Sequence, residues 1–475
     1  MKILLTGVTG YIGKRLLIQL LEEGHHIVCS VRDQKRFGTQ LFKNNLDQIE
    51  VIENDFLDEK TLDNIPQDLD AAYYLIHSMS SSEGDFEEKE KISAENFRKA
   101  LEKTKVQQVV FLTGIINEEK LSKHLQSRKN VEEALQSSNY GLTSLRAGII
   151  VGSGSASFEI IRDIVEKLPI MITPKWLNTK CQPIAIRNVI QYLNGVLGKE
   201  FTYNQHYDIA GTDVLTYKQM LLQYAEIRGL KRTIFIVPVM TPKLSSYWLY
   251  FVTSTSYFLA QNLVDSMKID VVATKNDLAE KLGIHLFSYQ EAIKLAFDKI
   301  KQNNVLSSWY DSFTSQFHTR QVWQYLEVPD EGCFKDIREV KTDDETATLN
   351  RIFSIGGTTG WYYADFLWRI RGFLDKVFGG VGLRRGRRNM TELEAGDSVD
   401  FWRVLYADKD KKRLLLFAEM KLPGEAWLEF KIKDGILHQE ATFRPLGLSG
   451  RLYWYSVLPF HGLIFNGMLK KLAGK

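Results

Sequence analysis

Thr6-Gly7-Val8-Thr9-Gly10-Tyr11-Ile12-Gly13 is the stretch on which the fold turns. It sets glycines at 7, 10 and 13 directly after the short apolar run Ile3–Thr6. Glycine tolerates a positive φ and lets backbone N–H groups come close to a diphosphate. Downstream, Ile12, Leu16, Leu17, Leu20 and Leu21 recur on one helical face, and Gly24 stops that helix. The helix begins near Tyr11, so its positive dipole end would face a phosphate held by the loop. Strand, glycine turn and amphipathic helix in this order form the context in which such glycines read as a dinucleotide site. Gly7, Thr9, Gly10, Tyr11, Ile12 and Gly13 are the residues expected to hold it; a purely structural turn is the alternative.

The same alternation continues beyond the turn. Ile27–Val31 reads as a second strand, and apolar runs follow at Ile49–Ile52, Ala71–Ile76, Val109–Leu112 and Leu142–Leu145. Polar or amphipathic stretches long enough for crossovers separate them. Strands apolar throughout, alternating with helices, imply an α/β protein with a Rossmann-type doubly wound parallel sheet covered on both faces. The second strand ends Val31-Arg32-Asp33, with Arg32 lying 19 residues beyond Gly13. An NAD site usually places a carboxylate there for the ribose 2′-hydroxyl. A guanidinium suits a 2′-phosphate, so Arg32 favours NADP. Asp33, one residue on, keeps NAD open.

Composition excludes several classes. Lys and Arg number 61 against 58 Asp and Glu, so no global field draws the chain to nucleic acid. Cys29, Cys181 and Cys333 are far apart without a CxxC, which argues against a disulfide framework or a cysteine zinc site and fits a reducing, cytoplasmic setting. The nine histidines show no ligand spacing, so no metal is expected. The longest uncharged stretch, residues 244–264, has 21 residues, but eight are Ser, Thr, Gln or Asn. It reads as a packed helix or a peripheral membrane contact rather than a span.

With TGVTGYIG, SVRD, NDFLD (54–58), YYLIHSM (73–79), LRAGIIVG (145–152) and QPIAIRNVI (182–190) in place, residues 1 to about 300 resemble the extended and atypical short-chain dehydrogenase/reductase superfamily, including its NmrA-like members. The resemblance implies NAD(P) on a Rossmann sheet, with a substrate lobe built from about residue 151 on. It puts Asp55 and Phe56 beside the adenine, and Leu75, Ile76 and His77 under the cofactor at the end of strand four. For Asp55 a turn or helix-cap role competes, and for Leu75 and Ile76 plain strand core.

The chain departs from that family at its catalytic pair. Active members carry Tyr-x-x-x-Lys after strand five, the tyrosine handling the carbonyl proton and the lysine lowering its pKa. None of the 20 tyrosines here has a lysine four residues later. His124 falls on the tyrosine position, Arg128 on the lysine position, and Thr113-Gly114 near the family's serine. An imidazole ordinarily titrates near neutrality, so His124 is a candidate acid–base group, with Arg128 anchoring ribose hydroxyls. His124 also reads as an ordinary helix-surface residue. Two functions follow. One is NADPH-dependent hydride exchange with an apolar carbonyl or enone; the other is a sensor or carrier that keeps the nucleotide pocket without turnover.

The remaining sequence supplies a lobe and a second domain. Phe158–Leu168 has helical spacing, and an aromatic block holds Trp248, Tyr250, Phe251, Tyr257 and Phe258 as packing or as an apolar substrate wall. The polar segment 306–344 reads as a linker between a domain over 1–305 and one over 345–475. There, Ile352–Ile355 reads as a short strand and Trp361–Val377 as a helix. Ser398–Tyr406, Arg413–Met420, Ala426–Ile432 and Ile436–Phe443 read as strands, with a hairpin turn at Lys433-Asp434-Gly435 and a final helix Gly462–Leu472. WYYADFLWRIRGFLD, GDSVDFWRV and RLYWYSVLPFHGLIF resemble an uncharacterised domain often fused behind atypical short-chain dehydrogenases. That domain is similar to the α+β helix-grip (START and polyketide-cyclase) group, which implies a curved sheet around an apolar cavity. Arg369–Arg388 carries seven basic residues against one acid, a solvated loop or a contact for phosphate or an anionic headgroup. His461 reads as packed.

Overall fold

The computed structural model describes the chain apart from residues 33, 35–44, 46, 77–85, 117–122, 238–244, 248, 250–260, 262–263, 302–327, 329–332, 384–386, 388, 390 and 446, and apart from the side chains of 86, 123–125, 163, 167, 298–301 and 447. Asp33, His77, the side chain of His124 and the five aromatics of the 248–258 block therefore lie outside the described residues. Two compact units divide the chain near residue 316.

The first unit is built on β1 (Lys2–Leu5), β2 (His26–Val31), β3 (Ile49–Glu53), β4 (Ala71–Tyr74), β5 (Gln108–Gly114), β6 (Gly141–Ala147) and β7 (Gln205–Ile209). They form one parallel sheet in the order β7-β6-β5-β4-β1-β2-β3. Ile3, Leu4, Leu5, Val28, Val109 and Val110 are fully buried, as strands covered on both faces must be. Helices α1 (Tyr11–Glu22), α2 (Phe86–Leu101) and α3 (Lys123–Ala134) cross between strands. The strand order reverses between β1 and β4. In such sheets a crevice opens there, at the carboxyl ends. Thr6 closes its floor: the hydroxyl donates to Tyr73 O at 2.9 Å and accepts from Leu75 N at 3.0 Å. The later segments add α4 (Ala156–Lys167), α5 (Ile186–Gly195), α6 (Tyr217–Ile227) and α7 (Tyr289–Lys301). Ile160, Ile161, Ile164 and Val165 of α4 pack on Tyr224 and Ile293, forming a second core beside the sheet.

The second unit is an antiparallel sheet of β8 (Phe334–Lys341), β9 (Ser398–Val399), β10 (Trp402–Asp408), β11 (Arg413–Ala418), β12 (Gly424–Lys433) and β13 (Ile436–Pro445), ordered β8-β13-β12-β11-β10-β9. Lys433 pairs with Ile436, so Asp434 (φ 53°) and Gly435 (φ 74°) make the two-residue turn that the sequence announces. Helices α8 (Glu345–Phe353), α9 (Asp365–Val377) and α10 (Gly447–Leu472) complete the unit.

Four readings of the sequence are corrected here. Phe334–Lys341, inside the segment read as a linker, is the edge strand β8. Its less exposed face carries Phe334, Asp336, Arg338 and Val340, while Ile337 points out, so the usual apolar-in alternation is hidden. Ile352–Ile355 is no strand. Asp344 caps α8 by accepting from Ala347 N at 2.9 Å, and that helix runs to Phe353. The helix read from Trp361 starts only at Asp365, because Tyr362 (φ 62°) and Ala364 (φ 53°) sit in the left-handed region. The terminal helix begins at Gly447, not Gly462, and runs through Pro459, where the proline and Tyr455 four residues earlier both face solvent.

His461, on α10, is largely buried between Trp454 and Phe465, and this burial lowers its pKa below the ordinary 6.5 despite Asp336 at 3.8 Å. The unfolded chain then binds a proton that the native unit resists. Stability is full above the unfolded value of 6.5 and falls as pH drops through it toward the lowered native value. Denaturant midpoints measured from neutral to mildly acidic pH are expected to fall in wild type and to flatten in His461→Phe.

Candidate nucleotide site

The turn between β1 and α1 is shaped by its own chain at two of its three glycines. Gly7 has φ +64°, and a Cβ there would lie 2.6 Å from Leu75 O. A Cβ on Gly13 would lie 2.2 Å from Gly7 O. Neither position admits a side chain. Gly10 differs: its φ is −79°, and a Cβ would meet only Gly7 O, at 3.1 Å. Its own N–H donates to Gly7 O at 2.9 Å. Gly10 is the N-cap of α1 without a side-chain cap, and the first turn carries no acid. The positive end of the helix is thus left to an outside anion.

Tyr11 and Ile12 turn away from that opening. Ile12 packs on the sheet core. Tyr11 is buried, which pushes its phenol up to about 12, and the Arg15 guanidinium lies 4.1 Å from its ring centre. Arg15 donates to Tyr11 O at 2.9 Å and to Ser153 O at 3.0 Å, tying α1 to the loop that opens the lobe. A Cβ on Gly152 would lie 2.7 Å from the Tyr11 hydroxyl, so that loop closes directly over the ring. Thr9 is half-buried in the turn.

The carboxyl ends of β2 and β3 hold Arg32 and Asp55, with Arg32 Nε 4.0 Å from Asp55 Oδ1 and both side chains partly exposed. Asp55 Oδ1 also accepts from Leu57 N at 3.1 Å, so its turn role and its exposure coexist. Asn54 fixes this loop: it is buried, accepts from Ser30 Oγ at 3.0 Å and donates to Thr61 O and Asn64 Oδ1, each at 2.6 Å. Phe56 turns its ring into the core against Phe97 at 5.5 Å. Leu75 and Ile76 follow β4, with Leu75 O pressed on Gly7.

Arg128 on α3 is buried and internally engaged. It donates to Leu112 O at 2.9 Å and to Thr113 Oγ1 at 3.3 Å, and it pairs with buried Glu90 at 3.5 Å, whose other oxygen accepts from Ser127 Oγ at 2.7 Å. The guanidinium braces the carboxyl end of β5. Its partner position, His124, stands one turn earlier on the same helix. The structure thus gathers Gly7, Gly10, Gly13, Leu75, Arg32 and Asp55 at the carboxyl edge of the sheet, while the rings of Phe56 and Tyr11 and the head of Arg128 face inward. Burial raises the thiols of Cys29 and Cys181 to about 12, which removes both as nucleophiles at neutral pH. Among the described residues no group of three or more His, Cys, Asp or Glu could hold a metal ion, and no helix is long and apolar enough to cross a membrane. Sequence reasoning missed Arg15, Asn54 and Glu90. The only available signal was polar residues at positions that the helical and strand periods bury.

A family model described as NAD(P)H-binding matches residues 7–163. The first unit has a Rossmann-type fold, and the match to the NAD(P)H-binding family falls on the half of it that carries the glycine turn. A nucleoside-diphosphate-sugar epimerase from Staphylococcus aureus is similar in structure, with a TM-score of 0.50 at 14% identity over 62% of this chain and 100% of its own. A triphenylmethane reductase from Citrobacter sp., solved with NADP(H), is similar at a TM-score of 0.50 and 18% identity, over 62% of this chain and 100% of its own. Residues 330–468 match a family described as a protein of unknown function (DUF2867). No curated protein matches the chain.

The glycine geometry separates two substitutions. Gly13→Ala forces a methyl into the Gly7 carbonyl and is expected to cost about 3 kcal/mol or more. Gly10→Ala, at an ordinary φ, is expected to stay within about 1 kcal/mol of wild type. Urea denaturation of the two variants checks the difference.

Proposed function

We propose that the protein binds NADP(H) at the Gly7–Gly13 turn and exchanges hydride between it and a carbonyl or enone on a mostly apolar substrate. One observation carries the reading. Gly10 is bare although a methyl there would ask only a small adjustment of Gly7 O, and that bareness sits at an uncapped helix N-terminus beside the strand-order reversal. A backbone kept open there serves a close-approaching diphosphate. The family match over residues 7–163 supports the same site.

In this reading the nicotinamide supplies or accepts the hydride, and the chain does the rest. Gly7, Thr9, Gly10, Tyr11, Ile12 and Gly13 would form the cradle, with the amides of the first turn of α1 holding the diphosphate. Arg32 receives the 2′-phosphate, and Asp55, with the Phe56 backbone, lies at the adenine end. Leu75 and Ile76, joined by His77 as the family resemblance implies, would form the floor after β4. His124 donates the proton to the nascent alkoxide, and Arg128 holds the strand end against which the ribose rests. The second unit, an antiparallel sheet crossed by the long helix α10, serves as a START-like cavity for a small apolar ligand. A reducing cytoplasmic setting fits the free thiols.

A second reading, a nucleotide-gated sensor or carrier without turnover, is favoured by Arg128. At the lysine position of the resembled family it is buried and engaged with Leu112 O and Glu90.

Fluorescence titration of wild type is expected to give NADPH at least about tenfold tighter binding than NADH, as a charge-assisted contact to phosphate requires. Arg32→Ala is expected to erase that preference. Equal affinity for both nucleotides, unchanged by the substitution, removes Arg32 from the role. NADPH consumption against a panel of aldehydes, ketones and quinones, abolished by His124→Ala, supports the reductase. Tight binding with no consumption across the panel supports the carrier.

A further inference from the structure

Helix α9 is amphipathic in the wrong sense for a soluble surface. Its inward face carries Trp368, Gly372 and Asp375. Its outward face carries Phe366, Ile370, Phe373, Leu374 and Val377, with Phe378 just beyond, at the i, i+4, i+7, i+8 and i+11 spacing of one stripe. Phe366, Phe373 and Phe378 are 62%, 61% and 70% exposed, whereas Asp375 is 1% exposed. Soluble helices bury the aromatics and expose the carboxylate.

The inward face is anchored and leaves the helix little freedom to roll. Trp368 stacks on Trp361 at 4.7 Å and reaches Phe465 of α10 at 6.5 Å. A Cβ on Gly372 would lie 2.9 Å from the Leu383 side chain. The Asp375 carboxylate accepts from Lys421 N at 2.7 Å and from Gly382 N at 2.8 Å. The neighbouring helix α10 adds a second exposed stripe, Leu448, Leu452 and Tyr455, and between 447 and 469 its only Asp, Glu, Lys or Arg is Arg451.

Charge identifies the occupant. Both acids of α9 are turned to the backbone: Asp375 as above, and Asp365 accepts from Trp361 N at 2.7 Å. The cations on and beside the stripe are Arg369, Arg371, Lys376 and Lys421. Aromatic and aliphatic side chains flanked by cations, with no carboxylate left outward on the helix, match a surface with an apolar interior and an anionic boundary.

We propose that the α9 face docks the protein on an anionic lipid bilayer, laying Phe366, Ile370, Phe373 and Phe378 among the acyl chains with the neighbouring cations at the headgroups. The contact is independent of the nucleotide site.

Flotation of the full chain with vesicles tests it. Vesicles of phosphatidylcholine with about a quarter phosphatidylserine are expected to carry the wild type, and phosphatidylcholine alone much less. Phe366→Ser with Phe373→Ser is expected to lower partitioning about a hundredfold, roughly tenfold for each ring withdrawn from lipid. Arg369→Glu and raised salt lower it further. These side chains face outward, so an unchanged thermal midpoint is expected, and Ile370→Gln offers a milder variant if the double one melts early. The proposal is overturned if serine-containing vesicles leave the protein behind, if binding ignores the substitutions, or if it is equal on neutral vesicles. It is also overturned if wild type is a dimer in solution and the substitutions yield a monomer, which would make a second copy the occupant.

Discussion

The nucleotide turn depends on backbone packed against backbone: Gly13 sits so close to the carbonyl of Gly7, and Gly7 so close to that of Leu75, that a Cβ at either glycine would collide with the oxygen. Three elements meet there without a side chain between them: the end of β1, the start of α1 and the end of β4. That packing fixes where the helix enters relative to the sheet and leaves the first amides of α1 facing the crevice at the strand-order reversal. Everything proposed for nucleotide binding is downstream of this geometry, because a dipole and a set of N–H groups act only over the first turn.

Around the turn the chain uses charged and polar residues as braces. Arg15 holds α1 to the Ser153 loop, Asn54 holds the end of β3, and Arg128 with Glu90 holds the end of β5. Buried groups of this kind are costly unless every partner is present, so they fix geometry more than they add stability. The Arg128 network fixes a cation at the carboxyl end of β5. A lysine at that position could slide toward a tyrosine or a ribose, whereas a guanidinium bonded to Leu112 O, Thr113 and Glu90 is held in place.

The parallel sheet was legible because its strands are apolar on both faces, as Ile3–Leu5 and Val109–Leu112 show, and because Gly7, Gly10 and Gly13 fall between strand and helix. Asp434-Gly435 was legible because Asp-Gly readily takes the two positive φ angles of a two-residue hairpin turn. What stayed hidden broke the periods. Edge strand β8 turns Asp336 and Arg338 inward and Ile337 outward, which erases the alternation. The start of α10 carries a glycine and a proline among aromatics, and the left-handed Tyr362 and Ala364 before α9 have no glycine to mark them. At the site, spacing pointed to Arg32 and the family resemblance to Asp55, and the two side chains do lie 4.0 Å apart; neither signal carried the inward turn of the Phe56 ring, which depends on Phe97 some forty residues away.

Gly10 has an ordinary φ, and a methyl there would ask Gly7 O to move by only a few tenths of an ångström. Calorimetric titration of NADPH into wild type and Gly10→Ala measures whether the ligand tolerates that methyl as well. An open diphosphate cradle predicts that the alanine variant, folded and cooperative in denaturant, loses at least about a hundredfold in affinity, some 2.7 kcal/mol. An affinity equal to wild type in that folded variant would contradict it.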